Sequence, residues 1–404
     1  MRIKTSLAIR TTLLISLIVS VTGLSTRLQA DTGSCGTGPM TSVPFIDVMG
    51  NPFFCQIAEA YFSGLTNGTD ATHYSPAANV PREQIAAFAT RTMDQSLMRG
   101  HNRAALNQFW TDKAGTNLGL TTLPASSSPQ MIRSDGADLW VASPGTATLT
   151  RVRASDGKLL DTWTGATGAF GVLVAMGKVF VAGTGGPGHL YSIDPTLAGT
   201  AVTLVTNVPN PLGIAFDGQR IWLANQGAGS VSIVTVNPLS VSTVSMGFTN
   251  LSGIVFDGTN MWVTDNVAGS VDKLRQLNAS GGIIQSVDVG DDARFPVFDG
   301  TNIWVPNQTS STVTVVRATG PLAGKVLANL SLNGLSGPWC AAFDGERILV
   351  TNISGNSVSL WKASDLSPIV GPFPTGASTS PQGACSDGLN FWISLTGANK
   401  LARF

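Results

Sequence analysis

Phe256-Asp257-Gly258-Thr259-Asn260-Met261-Trp262-Val263 is the clearest copy of a motif that recurs along the C-terminal three quarters of this 404-residue chain. Six further copies lie at residues 135–141, 175–181, 216–223, 298–305, 343–350 and 387–393, of which the copy at 175–181 lacks the Asp and one turn residue. The large apolar position of the motif falls at Trp140, Phe180, Trp222, Trp262, Trp304, Leu349 and Trp392, with spacings of 40, 42, 40, 42, 45 and 43 residues.

Each copy has the pattern of a tight turn between two short strands. The Asp-Gly pair tolerates positive φ and folds one strand back onto the next. Nine residues after the large apolar position, a second apolar residue is expected to start a third strand, at Leu149, Val231, Val271, Val313, Val358 and Leu401. Short strands at this period are typical of β-propeller blades. Seven copies therefore predict seven blades, in which the recurring Trp residues form core and not a ligand cage.

The last copy ends too early to complete a blade. Its third strand reaches Phe404, the final residue, so a fourth strand must come from elsewhere. Residues 117–123, ahead of the first copy, have a composition suited to an outer strand. We predict that this segment pairs with residues 400–404, which closes the ring and removes an exposed strand edge.

Composition indicates an exported protein. The chain is 43% hydrophobic and 12% charged, with 45 glycines. Residues 1–30 combine Arg2, Lys4 and Arg10 with a short apolar run and Leu28-Gln29-Ala30, which predicts a cleaved signal peptide and no transmembrane anchor. Without residues 1–30, the chain has 20 basic and 24 acidic residues. This mild acidity argues against a nucleic-acid partner. The expected location is the cell surface, the periplasm or the extracellular space.

Four cysteines in an exported protein can form disulfides. We expect Cys35 to pair with Cys55. Cys340 and Cys385 lie near the starts of adjacent repeats, so they either bridge neighbouring inner strands or remain buried thiols.

The sequence before the repeats has a different, helical pattern. An apolar stretch at 54–62 predicts one helix, and a turn follows at 64–69. Pro81 and Glu83 mark the start of a second helix, whose residues Ile85, Phe88 and Ala89 share a face. Residues 96–116 predict a further short helix and a linker, and the basic residues there read as a solvated face.

The order of motifs in residues 41–98 resembles the S-layer homology (SLH) module. The matching residues are Phe45, Asp47, Val48, Gly64 to Gly68, Tyr74, Pro76, Val80, Arg82 and Glu83. The resemblance implies that Arg82, with Glu83 and Gly68, contacts acidic polysaccharide of the cell envelope, because a guanidinium fork suits a carboxylate-bearing glycan. The alternative for Arg82 is an exposed helix-start residue paired with a nearby acid.

This sequence departs from the SLH pattern in two respects. Pro81 replaces the usual Thr, and one module is present where the family generally has three. A single module binds weakly, trimerises or serves only as a folding cap. Some single-module relatives carry a second cysteine pair, at positions that correspond here to Thr69 and Ser75.

The repeats themselves resemble the YVTN/NHL type of β-propeller. The resemblance rests on the segments 222–225, 262–265, 304–307 and 349–352 and covers residues 124–404. It implies the fold but no single function, because such propellers host enzymes, sensors and adhesive scaffolds. Lyases of the streptogramin-opening type are similar propellers, which use a histidine with a magnesium site. Only His189 lies in the repeats of this chain, and no partner glutamate is evident.

Few residues suggest chemistry. Asn225, Asp265, Asn307 and Asn352 occupy equivalent places, where they either form a polar ring at one mouth of the propeller or act as turn residues that bond their own backbone. Asp291 and Asp292 lack the spacing of a calcium loop. We therefore predict no catalytic residue, no metal ligand and no cofactor.

The sequence as a whole predicts a mainly β protein, a seven-bladed β-propeller with a small α-helical N-terminal SLH-like domain. The expected divisions are a signal peptide at 1–30, the SLH-like module and linker helix at 31–112, and the propeller at 113–404. The expected function is a non-catalytic, exported scaffold that binds envelope polysaccharide and presents the propeller mouth to an unknown protein or small ligand. The alternatives are a propeller enzyme of the streptogramin-lyase type and a propeller that binds a small ligand.

Overall fold

The computed structural model describes residues 31–35, 40–99, 120–197 and 199–404. The predicted signal peptide and the domain boundary at residue 112 lie outside these ranges. Within them, no helix has the length and apolar character needed to cross a membrane. The elements before the repeats are β1 (Thr32–Ser34), β2 (Met40–Ser42), α1 (Phe54–Phe62), α2 (Arg82–Arg99) and β3 (Leu120–Thr122).

The repeats form seven four-stranded antiparallel sheets, the blades of a propeller. Blade 1 contains β4 (Ile132–Ser134), β5 (Asp138–Ser143), β6 (Thr148–Arg153) and β7 (Leu159–Thr164). Blade 2 contains β8 (Ala169–Ala175), β9 (Lys178–Gly183), β10 (Gly188–Ile193) and β11 (Thr203–Val208). Blade 3 contains β12 (Pro211–Phe216), β13 (Ile221–Asn225), β14 (Ser230–Val236) and β15 (Leu239–Val244). Blade 4 contains β16 (Leu251–Phe256), β17 (Met261–Asp265), β18 (Lys273–Leu277) and β19 (Ile283–Asp288).

The remaining blades follow the same order from the innermost strand outwards. Blade 5 contains β20 (Val297–Phe298), β21 (Asn302–Asn307), β22 (Thr312–Arg317) and β23 (Val326–Leu330). Blade 6 contains β24 (Pro338–Phe343), β25 (Arg347–Asn352), β26 (Ser357–Lys362) and β27 (Pro368–Pro374). Blade 7 contains β28 (Pro381–Ser386), β29 (Phe391–Leu395), β30 (Lys400–Arg403) and β3. The predicted mainly β, seven-bladed fold is confirmed.

The ring closes as the sequence predicts. β3 pairs antiparallel with β30, with Thr121 opposite Leu401, so a strand from before the first repeat completes the last blade. Side-chain hydrogen bonds across the same seam join blade 7 to the chain that enters blade 1. Ser394 Oγ donates to the Gln130 carbonyl at 2.5 Å, and Thr396 Oγ1 donates to the Pro129 carbonyl at 2.6 Å. The closure therefore rests on both strand pairing and side-chain contacts.

The innermost strands approach one another closely around the axis. At Gly171, Gly213, Gly253 and Gly383, an added Cβ atom would overlap backbone atoms of the next blade. Glycine at this position of the repeat lets the neighbouring inner strands pack backbone to backbone. The large apolar residues of the motif lie between the blades and are buried at all seven positions. The prediction that they form core is confirmed.

One expectation about the third strand is wrong. Val271 was expected to start the third strand of blade 4, but it is exposed and the strand begins at Lys273. Leu274, opposite Thr264, takes the buried position. The preceding loop is longer here because Asp272 anchors it, accepting hydrogen bonds from the backbone N–H groups of Val267 and Asp292.

Candidate binding surfaces

The N-terminal module, residues 40–99, is organised around Asp47 and Phe45. Asp47 accepts hydrogen bonds from the backbone N–H groups of Tyr74 and Ser75, at 2.9 and 2.8 Å. The Phe45 ring contacts the rings of Tyr61 and Tyr74, with centroids 5.3 and 5.5 Å apart. Two motifs that lie 27 residues apart in the sequence are thus held together by a carboxylate and an aromatic cluster.

Two side-chain pairs brace this module. Cys35 and Cys55 form a disulfide with Cα atoms 5.5 Å apart, which ties the segment at β1 to helix α1 and confirms the predicted pair. Thr69 and Ser75 face each other, with their hydroxyl oxygens 2.8 Å apart. A hydrogen bond therefore occupies the place where the SLH resemblance implies a second disulfide in some relatives.

The C-terminal end of α1 docks onto blade 5. Arg317 donates to the Tyr61 carbonyl at 2.5 Å, Asn302 Nδ2 to the Phe62 carbonyl at 3.1 Å, and Thr301 Oγ1 to the Ser63 carbonyl at 3.4 Å. The last carbonyls of a helix have no partner within the helix, and they carry partial negative charge. The propeller thus supplies both the donors and the positive charge that this helix end requires.

Sequence reasoning missed these docking residues. Thr301 and Asn302 belong to the motif copy in blade 5, and Thr259 and Asn260 occupy the same places in blade 4, so nothing local distinguishes the two copies. The available signal in the sequence is the arginine that ends the apolar strand Thr312–Arg317. The structure buries Arg317, and a buried arginine requires partners.

Apolar packing extends the same contact. Phe45, Tyr61 and Phe62 share one buried cluster with residues of blades 5 and 6, including Trp304 and Trp361. The Arg317 guanidinium lies over the Tyr61 ring, 5.4 Å from its centroid, and burial raises the pKa of the Tyr61 hydroxyl. The module and the propeller therefore share a core.

A cavity of about 330 Å³ remains beside this contact. The module lines it with Ser42 and Phe62, and the propeller lines it with residues 327–332 of blade 5 and with Trp361 and Asp365 of blade 6. Asp365 already accepts hydrogen bonds from the backbone and hydroxyl of Ser367. This volume lies at the lower end of the range for small-molecule pockets.

The structure places the three SLH-derived candidates on the outer part of the module. Gly68 adopts a φ of +80°, and a Cβ atom there would overlap the His73 carbonyl, so the turn requires glycine. Asp70 in the same turn has a pKa of about 2, because the backbone N–H of Thr72 and the side chain of His73 bond its carboxylate. Arg82 and Glu83 begin helix α2, and both are exposed.

The four equivalent polar residues, Asn225, Asp265, Asn307 and Asn352, are fully buried at the ends of the second strands. The amide nitrogen of Asn225 donates to Ser230 and Ser232 on the next strand, and the other two asparagines make the same pair of bonds with hydroxyls of their own blades. Asp265 accepts from two backbone N–H groups and pairs with Arg275 at 3.1 Å. These side chains bond within their blades and present no exposed ring.

Aromatic side chains fill the axial channel. Phe295 lies between Phe170 and Trp339, with ring centroids 5.5 and 5.8 Å away. Arg294 covers Trp339 at 4.4 Å and pairs with Asp292 at 2.6 Å. One gap beside Phe295, where the inner strands of blades 1 to 4 meet, has a volume of about 10 Å³, roughly the room for one water molecule. This gap is too small for a ligand.

Of the other candidate residues, Cys340 and Cys385 lie on the neighbouring inner strands β24 and β28, with Cys340 Sγ 4.0 Å from the Ala384 carbonyl, whereas His189 lies in blade 2. His189 bonds Asn207 at 2.9 Å and stacks on Tyr191, with ring centroids 5.3 Å apart. Cys340 and Cys385 are free and buried, and burial raises the pKa of both thiols. Within the part of the chain that the structure describes, no three His, Cys, Asp or Glu residues are grouped so as to hold a metal ion.

The sequence matches no protein-family model and no curated protein. Solved structures share the propeller fold. A streptogramin B lyase structure aligns with a TM-score of 0.59 and 14% identity over 71% of this chain and 96% of that chain. A chain of Kuenenia stuttgartiensis hydrazine synthase aligns with a TM-score of 0.60 and 17% identity over 73% of this chain and 98% of that chain. The β-propeller domain of Myceliophteria thermophila Cps50 (Swd1) aligns with a TM-score of 0.55 and 10% identity, over 71% and 99%. At these identities the likeness establishes the seven-bladed fold alone, and the three proteins differ in function.

Proposed function

We propose that this protein is an exported scaffold of the cell envelope, in which an SLH-like module binds envelope polysaccharide and a YVTN/NHL-type propeller serves as an interaction platform. The observation that carries the proposal is the difference in exposure between the two helices of the module. Helix α1 is docked through its carbonyl end, whereas the start of α2, with Arg82 and Glu83, is exposed. The docked helix orients the module, and the exposed one is accessible to a polymer.

The chemistry of the exposed end suits an acidic glycan. Arg82 offers a planar fork of N–H donors, and the N-terminus of a helix carries partial positive charge. A carboxylate on a polysaccharide would accept hydrogen bonds from the guanidinium group at this helix start. The disulfide between Cys35 and Cys55 stabilises the module, which suits an oxidising compartment outside the cytoplasm.

The test measures how much purified protein is retained by insoluble cell-wall polysaccharide that carries carboxylate groups. Arg82→Ala is expected to weaken binding about tenfold or more, because a charge-assisted hydrogen bond contributes about 1.5–3 kcal/mol. Arg82→Lys keeps the charge without the fork and is expected to bind with intermediate strength. Lys178→Ala, which removes an exposed positive charge from blade 2, is the matched control and should leave retention unchanged.

Two results would reject the proposal. One is no retention of the wild-type protein on carboxylated polysaccharide. The other is equal retention of wild-type protein and the Arg82→Ala variant, with circular dichroism confirming that both are folded.

A further inference from the structure

The outermost strand of blade 3 lacks the features that normally keep a free strand edge from pairing. β15 pairs with β14 on one side, and no described strand pairs with its other side. Five of its six residues, Leu239 to Thr243, are exposed. A free edge of this kind offers unpaired N–H and C=O groups to any other strand, and proteins commonly block it with charge, proline or short length.

The other outer strands carry such blocks or are covered. Asp161 lies within β7, Asp288 ends β19, and β27 contains three prolines. β3 is only three residues long, and the N-terminal module lies beside β23, across the cavity lined by Phe62. Of the outer strands, β11 and β15 contain neither a charged residue nor a proline, and among the described residues no element covers them as the N-terminal module covers β23.

The surroundings of β15 are also uncharged. Between Arg220 and Asp257 the chain has 36 consecutive residues without Asp, Glu, Lys, Arg or His, and these include all of β13, β14 and β15. Leu239, Val241 and Met246 are 54%, 41% and 87% exposed. A charged partner would find no complementary group among these residues, and it would lose hydration on binding. The surface complements a strand that is equally uncharged, and a second copy of β15 meets that condition.

We propose that β15 is a self-association edge, which joins two copies of this chain into a dimer with a continuous eight-stranded sheet. Alternation along Leu239-Ser240-Val241-Ser242-Thr243 places Leu239, Val241 and Thr243 on one face of the strand. In an antiparallel pairing about a two-fold axis at Val241, Leu239 lies opposite Thr243 of the second copy, and the two Val241 side chains meet. The apolar row of one copy then continues into that of the other, and both free edges are removed.

The experiment measures the molar mass of the purified protein by sedimentation at concentrations from about 1 to 100 μM, a range that brackets a weak strand-mediated dimer. The wild-type protein is expected to form a dimer within this range. Val241→Lys places two like charges opposite each other and is expected to raise the dimer dissociation constant at least tenfold. Leu159→Lys, at an exposed residue that begins the outer strand of blade 1, is the matched control and should leave the dissociation constant unchanged.

Three outcomes would overturn the proposal: a monomer at every concentration, a dimer that Val241→Lys does not weaken, or a dimer that Leu159→Lys weakens equally. Circular dichroism of the two variants, whose substituted side chains are exposed, verifies that both remain folded. The proposal is independent of glycan binding, because Arg82→Ala should leave the molar mass unchanged.

Discussion

Trp262 donates its indole N–H to Asp257, with Nε1 and Oδ2 2.6 Å apart, and both side chains are buried. The other carboxylate oxygen, Oδ1, accepts the backbone N–H groups of Thr259 and Asn260, at 2.8 and 2.7 Å. One aspartate thus fixes the turn and satisfies the tryptophan that fills the space between blades. The same Asp-to-Trp bond occurs in four other blades, at 2.7–2.9 Å.

Blades 2 and 6, which lack the tryptophan, are consistent with this role of the aspartate. Blade 2 has Phe180 in place of tryptophan, and its turn at Met176 and Gly177 has no aspartate, since no indole N–H requires an acceptor. Blade 6 has Leu349, and there Asp344 accepts from Arg347 Nε at 2.9 Å. The aspartate is therefore present in the blades where a side-chain donor bonds it. Hydrogen bonds from the Trp222 indole and the turn backbone outweigh the effect of burial, so the pKa of Asp217 lies below its usual value.

Asp257→Ala is expected to destabilise the protein by about 1–3 kcal/mol, because it leaves a buried indole donor without an acceptor. Asp156→Ala is the control, since Asp156 also lies in a hairpin turn but is exposed and bonds no indole. Thermal unfolding followed by circular dichroism measures both. In an Asp257→Ala/Trp262→Phe double variant, the aspartate substitution should cost less than in the wild type, because no indole N–H remains to be satisfied. Equal costs in the two backgrounds would mean that the bond does not link these residues energetically.

Arg317→Ala is expected to loosen the N-terminal module, because it removes the charged donor to the Tyr61 carbonyl. A hydrogen bond to a charged group contributes about 1.5–3 kcal/mol, so the module should open more often while the propeller stays folded. Limited proteolysis would then cleave within residues 40–99 faster than in the wild type. Arg153→Ala is the matched control, because Arg153 occupies the corresponding end of the third strand in blade 1 but is exposed. Equal cleavage of both variants would count against the docking role of Arg317.

Thr121→Pro is expected to weaken ring closure. Thr121 lies directly opposite Leu401, and proline cannot donate a hydrogen bond to the strand ladder. The loss of the ladder bond and the exposure of the edge of β30 should lower the unfolding temperature by several degrees. Thr121→Val serves as the control, because it removes only the hydroxyl bond to the Gly157 carbonyl and preserves the strand. A smaller loss in Thr121→Pro than in Thr121→Val would contradict the closure by β3.

The sequence predicts the features that local patterns determine. Apolar spacing predicts the bounds of α1 and the number of blades. The incomplete last repeat predicts that β3 supplies the fourth strand of blade 7. The docking of α1 on Thr301, Asn302 and Arg317 could not be predicted, because it joins residues more than 230 positions apart and uses a Thr-Asn pair that the motif copy in blade 4 also contains. The loop anchored by Asp272 also escaped prediction, since one of the two partners of this carboxylate, the backbone of Asp292, lies 20 residues further along the chain.

The candidate sites also include features that the sequence predicts and features that it does not. The pairing of Cys35 with Cys55, one of the three pairings that four cysteines allow, is confirmed. The burial of Asn225 and its equivalents could not be read from spacing, because a mouth residue and an internal strand-end residue share one position in the repeat. Glycan binding by Arg82 stays a prediction.

Cys340 and Cys385 are expected to resist thiol reagents in the folded protein. Burial raises the pKa of both, so at pH 8 neither is a thiolate and neither is accessible. Labelling with a coloured disulfide reagent should count close to zero thiols in the native protein and two in the denatured, unreduced protein. Because the unfolded chain loses these protons first as the pH rises, the stability contribution of the protonated thiols is complete below pH 9 and declines above it. Fewer than two reactive thiols after denaturation would mean that the two cysteines are oxidised, and rapid labelling of the native protein would mean that the inner strands of blades 6 and 7 open readily.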